Sequence, residues 1–499
     1  MPSPSAPSDS FGFAPQRKFS RTQHTLPLGE GTLAYTALAE WQILRDRDKP
    51  VAELFHVAYL ADVDNSAPRP LTFVFNGGPG AASAYLHMGA LGPKRVRFNP
   101  DGSLPKPPVQ VVDNAETWLA FTDLVFIDPV GTGFSRSLEE DKPDKEAPPS
   151  KDKDSDTPKE SEFWSVDRDL KALGEFIQGF LSRQQRWLSP IFIAGESYGG
   201  FRVARLIRQL QQDYGVGLSG AILISPALEF GLLGGSDYNV TPWTAVLPSF
   251  AAAAAHHGLT QPQSMETCLA EAETFARRTY LPLLAMGDAA PEAEHRAAYE
   301  QMAAMIGLPL SLVQRQKGRI DLSLFARELL RSQQQVVGLY DASITAIDPF
   351  PDRATYDGAD PTLDGLNRLF TGAINSHLRD TLGVETDLTY HLLNFETFKA
   401  WHYDLKGEWR QGFVGSVDEF RAGMALNPDL QVWISHGIFD LVTPYFGSDH
   451  LVNLMRLDPE LRSNLTLKHF PGGHMFYTWE RSRQAWLQDM TAFYQRAIE

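Results

Sequence analysis

Residues 190–200, PIFIAGESYGG, decide the fold. A short apolar run, Ile191 to Ala194, meets Gly195-Glu196-Ser197-Tyr198-Gly199, and FRVARLIRQLQQDYG (201–215) follows at once with apolar residues at three- and four-residue spacing. A strand that passes straight into a helix through G-x-S-x-G puts its serine on a sharp bend, because only glycine at the flanking positions leaves room for so tight a turn. Ser197 then stands at a helix N-terminus, where free N–H groups and the helix dipole favour negative charge developing on a bound group. The other reading is a capping serine in a glycine turn. The strand-to-helix context favours the nucleophile.

Outward from this point the chain alternates strand and helix. AILISP (221–226) and DLVFIDPVG (123–131) are short apolar runs of the kind buried in parallel sheets, and FWSVDRDLKALGEFIQGFL (163–181) has helical periodicity. Such alternation predicts an α/β fold, with a mostly parallel central sheet covered by helices on both faces. TLAYTALAEWQIL (32–44), AELFHVAYLADV (52–63) and PLTFVF (70–75) read as meander strands leading into that sheet. From 231 to 415 the strand signal fades and helical stretches dominate, such as EAEHRAAYEQMAAMIG (292–307), LSLFARELLRSQQQ (322–335) and TLDGLNRLFTGAINSHLRDTL (362–382). Strands return in DLQVWISHG (429–437) and NLTLKHF (464–470), and the helical SRQAWLQDMTAFYQRAI (482–498) follows. The expected organisation is a core in two pieces, 1–230 and 416–499, around a mainly helical cap insertion at 231–415. The stretch 138–162, dense in both charge signs and in proline, cannot bury enough apolar surface to order itself and reads as a surface loop.

Composition narrows the function. With 43% hydrophobic and 21% charged residues among 499, the chain can bury a large core. A formal net charge of −16 argues against nucleic acid and anionic membrane as partners, since both reward clustered lysine and arginine. The opening stretch MPSPSAPSDSFGFAPQRKF (1–19) lacks the apolar centre of a secretory signal, and SFAAAAAHHG (249–258) is too short to span a bilayer. The reading is a soluble, cytoplasmic protein as the sequence stands, or a secreted or periplasmic one if a leader has been removed. Cys268 is the only cysteine, which rules out an intramolecular disulfide, and its acidic helical setting argues against a catalytic thiol.

A serine hydroxyl needs a base to take its proton and an acid to orient that base. Folds built on a nucleophile elbow, the α/β-hydrolases, supply them in the chain order serine, aspartate or glutamate, histidine. Asp440 follows the strand QVWIS through the turn HGIFD, and His474 follows LTLKHF through PGGH. Of thirteen histidines, His474 is preferred over His436, His450 and His469 because it follows the last predicted strand and Gly472 and Gly473 permit a sharp turn. The oxyanion of acyl transfer needs N–H donors. Tyr198, after the nucleophile, offers one, and the glycine-rich loop Asn76-Gly77-Gly78-Pro79-Gly80, entered directly from PLTFVF, is placed to offer another.

NGGPG (76–80), FIDPVGTGFS (126–135), GESYGG (195–200), an aspartate after a GxxD turn (437–440) and GGHM (472–475) together resemble the serine carboxypeptidase family, in order and along the whole core. The resemblance implies the α/β-hydrolase fold, a triad of Ser197, Asp440 and His474, and an oxyanion hole from the N–H groups of Gly78 and Tyr198. It also implies that Asn76 and Glu196 bind the terminal carboxylate of a peptide substrate. Two carboxyl groups can share a hydrogen bond only if one is protonated, so a raised pKa at Glu196 follows. Three positions depart from the family pattern: Val74 replaces a tryptophan, Ala81 a cysteine, and Ala90 a second carboxylate-binding glutamate. The expected activity is that of a serine-type carboxypeptidase, working without cofactor or metal. An esterase or acyltransferase on the same triad is the alternative that Ala90 keeps open, and the complete triad argues against a non-catalytic binding protein.

Overall fold

The computed structural model describes residues 18–63, 68–138, 162–261, 263–353, 356, 358–403 and 414–499. Apart from its two end residues, the charged stretch 138–162 lies outside them, as does most of the opening stretch. Ten strands make the main sheet. They are β1 (Ser20–Leu28), β2 (Gly31–Asp46), β3 (Lys49–Ala61), β4 (Leu71–Phe75), β5 (Asp123–Ile127), β6 (Arg136–Ser137), β7 (Ile191–Glu196), β8 (Gly220–Ile224), β9 (Gln431–Gly437) and β10 (Leu465–Phe470). Their order is β1-β2-β3-β5-β4-β7-β8-β9-β10, with the short β6 on β3.

The neighbours from β5 to β10 all pair in parallel. β1, β2, β3 and β5 pair in antiparallel succession. The sequence accounts for this division. LTFVF, DLVFI and GAILI are buried at every position, as strands covered on both faces must be. β1 alternates exposed and half-buried residues and contains Pro27, which an edge strand tolerates. That polar alternation is why β1 lies outside the stretch that reads as strand from composition.

Side chains of successive strand residues feed two separate cores. Phe192 and Ala194 of β7, with Ile222 and Ile224 of β8, join a cluster that contains Trp486, Met490 and Phe493 of the last helix, α5 (Glu480–Ile498). Ile191, Ile193, Ala221 and Leu223 point the other way, into a cluster with α1 (Val166–Arg183) and α2 (Tyr198–Asp213). The α/β-hydrolase arrangement of helices on both faces of a mostly parallel sheet is thus built by the period-two alternation.

Within 231–415 two parts pack differently. α3 (Thr241–His256) and the helices up to Glu328 form a third cluster, with Phe250, Tyr280, Met302 and Phe325 at its centre, and it reaches Phe439 and Leu441 on either side of Asp440. α4 (Leu363–Ser376) instead lays Leu366, Leu369 and Phe370 onto the first cluster. The helical run at LSLFARELLRSQQQ ends at Glu328, and Gln335–Val337 pairs antiparallel with Thr345–Ile347 to make a short hairpin. Cys268 is buried against the carbonyl of Ala251, and burial pushes its thiol pKa up.

Candidate active site

Ser197 sits between β7 and α2 with φ 61° and ψ −122°, a backbone conformation that costs a non-glycine residue energy and that surrounding contacts must hold. They do: its N–H donates to the Ile224 carbonyl (2.9 Å), and its carbonyl accepts from Gly200 (2.9 Å) and Ala227 (3.1 Å). Gly195 is compelled by close approach, since a Cβ there would lie 2.2 Å from the Gly199 carbonyl oxygen. The serine is half-buried while its neighbours Glu196 and Tyr198 are buried.

Asp440 and His474 come from the loops after β9 and β10, and His474 Nδ1 lies 2.7 Å from Asp440 Oδ2. A carboxylate only accepts, so Nδ1 carries the proton and Nε2 is left as the basic nitrogen. Thr443 Oγ1 is within hydrogen-bond distance of Asp440 Oδ2 (2.7 Å), the Ser225 carbonyl (2.9 Å) and His474 Nδ1 (3.0 Å), while Asp440 Oδ1 accepts the N–H groups of Val442 (2.8 Å) and Thr443 (3.0 Å). Burial works to raise the Asp440 pKa, but His474 and these donors outweigh it and hold the carboxyl below its usual range. Burial likewise works to lower the His474 pKa; Asp440, with Glu196 beyond, reverses it and holds the imidazole above its ordinary value.

Among the described residues no hydrogen bond joins the Ser197 hydroxyl to His474. The end of β8 lies between them: the Ile224 carbonyl accepts the Ser197 N–H, and the next residue, Ser225, donates its hydroxyl to the His474 carbonyl (2.7 Å) and its N–H to the Ser435 carbonyl on β9 (2.7 Å). His436 and His469 are engaged elsewhere, with Ser448 and Asp449 respectively.

The Asn76–Gly80 loop lies directly against the elbow. A Cβ on Gly77 would stand 2.5 Å from the Tyr198 nitrogen, so glycine alone lets the loop approach this close, and the next residue, Gly78, adopts φ 97°. Asn76 anchors the loop: Leu86 N–H donates to its Oδ1 (3.0 Å), and its Nδ2 donates to Glu196 Oε2. Its carbonyl accepts from Arg202 Nη1 (2.5 Å), and Arg202 is itself buried and paired with Asp169, with Nε–Oδ2 2.7 Å and Nη2–Oδ1 3.1 Å. The family's second glutamate has no replacement at Ala90, whose carbonyl accepts Asn114 Nδ2 (2.6 Å). The group facing Glu196 is instead the Tyr477 hydroxyl, 2.9 and 3.0 Å from its two oxygens. Burial pushes the Glu196 carboxyl up to about 7, against the opposing effects of His474, Tyr477 and Asn76. Val74 and Ala81, the other two departures, are buried in the core cluster.

Thr443, Ser225, Tyr477, Arg202 and Asp169 carry no motif and were not singled out by sequence. Tyr477 had one available cue, its position three residues after His474, and Arg202 another, a charge on the apolar face of a helix.

The family model for serine carboxypeptidase matches residues 43–468. Serine carboxypeptidase-like 13 of Arabidopsis thaliana is 30% identical over 178 residues, 35% of this chain and 36% of that protein. Serine carboxypeptidase-like 5 of the same plant is 26% identical over 225 residues, 43% of this chain and 44% of that protein. Both matches span less than half of the relative's own length. A prohormone-processing carboxypeptidase from Saccharomyces cerevisiae shares the fold, with a TM-score of 0.51 and 14% identity over 92% of this chain and 91% of that one. Because the family match begins inside β2 and ends inside β10, it takes in the elbow, the Asn76–Gly80 loop and the Asp440 turn, and this chain belongs to the serine carboxypeptidase family.

Proposed function

We propose that this protein is a serine-type carboxypeptidase that hydrolyses the C-terminal peptide bond of peptides through an acyl-enzyme. The observation that carries the proposal is the imidazole of His474, oriented by a buried carboxylate, on a turn whose His474 carbonyl is held by Ser225, the residue after the Ile224 whose carbonyl accepts the N–H of the strained Ser197. Contacts of this kind are often long in a free enzyme and tighten when substrate binds. In the first step His474 Nε2 takes the Ser197 proton as Oγ attacks the scissile carbonyl, and the N–H groups of Gly78 and Tyr198 receive the oxyanion. His474 then protonates the leaving amine, and water, deprotonated by the same imidazole, releases the acyl group. Asn76 and a protonated Glu196 hold the terminal carboxylate of the departing residue. The core is formed by 1–230 and 416–499, with 231–415 inserted between them.

A second reading, an esterase or acyltransferase on the same three residues, is favoured by one observation: Ala90 stands where the resemblance implies a second glutamate, and the group on Glu196 is the Tyr477 hydroxyl. Two measurements separate the readings. A fluorophosphonate probe labels the wild type but not Ser197→Ala if the serine is the nucleophile. N-blocked dipeptides with a free C-terminus are then cleaved much faster than their amides by a carboxypeptidase, whereas equal rates, or ester cleavage alone, sink the exopeptidase assignment.

A further inference from the structure

The hairpin Gln335–Val337/Thr345–Ile347 carries a loop, 338–344, that runs between the turn bearing Asp440 and the turn bearing His474. Its backbone is bonded to both. Leu441 N–H donates to the Leu339 carbonyl (3.1 Å) and Ala342 N–H to the Phe439 carbonyl (3.0 Å), so the loop grips the chain on either side of Asp440. On the other side, His474 N–H donates to the Tyr340 carbonyl (2.5 Å), and the Tyr340 ring stands edge-on to the imidazole with centroids 5.3 Å apart.

The side chain at the centre of this loop is Asp341, 8% exposed. Its Oδ1 is occupied within the loop, by the Ser343 N–H at 3.0 Å and the Ser343 hydroxyl at 2.5 Å. Its Oδ2 reaches out of the loop and accepts the Gly473 N–H (2.9 Å) and the Trp479 indole N–H (3.1 Å), both on the segment that carries His474. A residue that only shaped its own turn would use the first pair of bonds and not the second. The glycine at 473 fits the same account. A Cβ there would lie 2.0 Å from the Tyr340 carbonyl oxygen and 2.4 Å from the Asp341 Cα, so the P-G-G-H turn carries glycine because this loop is laid across it.

We propose that Asp341 is a positioning residue for His474: by accepting the N–H of Gly473 it sets the turn on which the imidazole stands, and it makes a loop of the 231–415 stretch part of the catalytic machinery. The proposal rests on the reading of His474 as the general base. Losing the bond lets the imidazole drift, and a displacement of about 1 Å in a catalytic group costs on the order of 100-fold in rate. Ground-state binding by Asn76 and Glu196 meets this segment only through the Tyr477 hydroxyl, so the loss falls mainly on kcat, with KM little changed.

The test uses the full chain with Asp341→Ala and Asp341→Asn. Asparagine keeps the volume and the Ser343 bonds but turns an amide N–H₂ toward two N–H donors, so it removes the outward bonds with the least disturbance to folding. The readouts are the fluorophosphonate labelling rate, kcat and KM on a blocked dipeptide, and the far-downfield proton NMR signal of the His474 Nδ1–H shared with Asp440. The expected result is a fall of roughly 100-fold in kcat and in labelling rate, KM within about twofold of wild type, and a shifted or broadened proton signal. A folded variant, either one, that labels at the wild-type rate with an unmoved proton signal overturns the proposal. A wild type that fails to label sinks the nucleophile assignment instead; the proton signal still reports on Asp341 in that case.

Discussion

Replacing Glu196 with glutamine should turn a bell-shaped pH profile into a one-sided one. In the proposed carboxypeptidase, Glu196 hydrogen-bonds the substrate carboxylate only while it is protonated, and burial holds its pKa at about 7. The protonated fraction is then about one half at pH 7, one tenth at pH 8 and one hundredth at pH 9, so kcat/KM on free-acid substrates falls about tenfold per pH unit above neutrality. On the acid side the limiting group is His474, which must be neutral to act as a base and whose pKa is held above its ordinary value by Asp440. The acid limb is thereby moved toward the alkaline one. Glutamine at 196 can accept from Asn76 and still offer an N–H at every pH, so the alkaline limb should vanish, while the acid limb persists and moves somewhat toward lower pH as His474 loses the charge of Glu196. By pH 9 the variant should exceed the wild type on free acids by about tenfold or more. The assay is kcat/KM for N-blocked dipeptides, as free acids and as amides, between pH 5 and pH 9. An alkaline limb that survives in Glu196→Gln, or that the wild type shows equally on amides, would refute the assignment of Glu196 to the carboxylate.

The Tyr477 hydroxyl stabilises the ionised form of Glu196, so Tyr477→Phe should move the alkaline limb to higher pH, read in the same assay. Asp128, on the loop after β5, is a buried carboxyl raised by that burial to about 7, and Glu196 and Asp341, at about 6, share its sign. Such groups hold more protons folded than unfolded, so their stabilisation is complete below their unfolded pKa values and is lost as pH rises through 6 to 7. Asp128→Asn should therefore flatten the fall in unfolding free energy between pH 5 and pH 8 by about 3 kcal/mol, measured by urea denaturation at the two pH values. Arg202→Met leaves Asp169 as an uncompensated buried charge and should cost about 3–5 kcal/mol, with part recovered in the Arg202→Met/Asp169→Leu double variant by thermal and urea unfolding.

What the sequence made legible, and what it hid, divides along physical lines. The elbow, the parallel strands and the glycine-rich loop at 76–80 announce themselves because their constraints are local: a glycine where a Cβ would clash, a continuous apolar run where both faces are covered. Asp440 and His474 could be chosen from chain order alone, since each follows a strand through a short turn. The supporting groups could not. Tyr477 meets Glu196 across 281 positions and Asp341 meets Gly473 across 132. Each uses a residue type with many uses; only its closeness to His474 marks Tyr477, and nothing in its own neighbourhood marks Asp341. The hairpin that delivers Asp341 has strands of three residues, too short for a period-two signal to stand out within a helical stretch. One trace of it did reach the local sequence, the second glycine of P-G-G-H. Read alone, that glycine says only that the turn is tight. In the structure it is the space into which a distant loop is fitted, so the 231–415 stretch is not independent of the turns that carry Asp440 and His474.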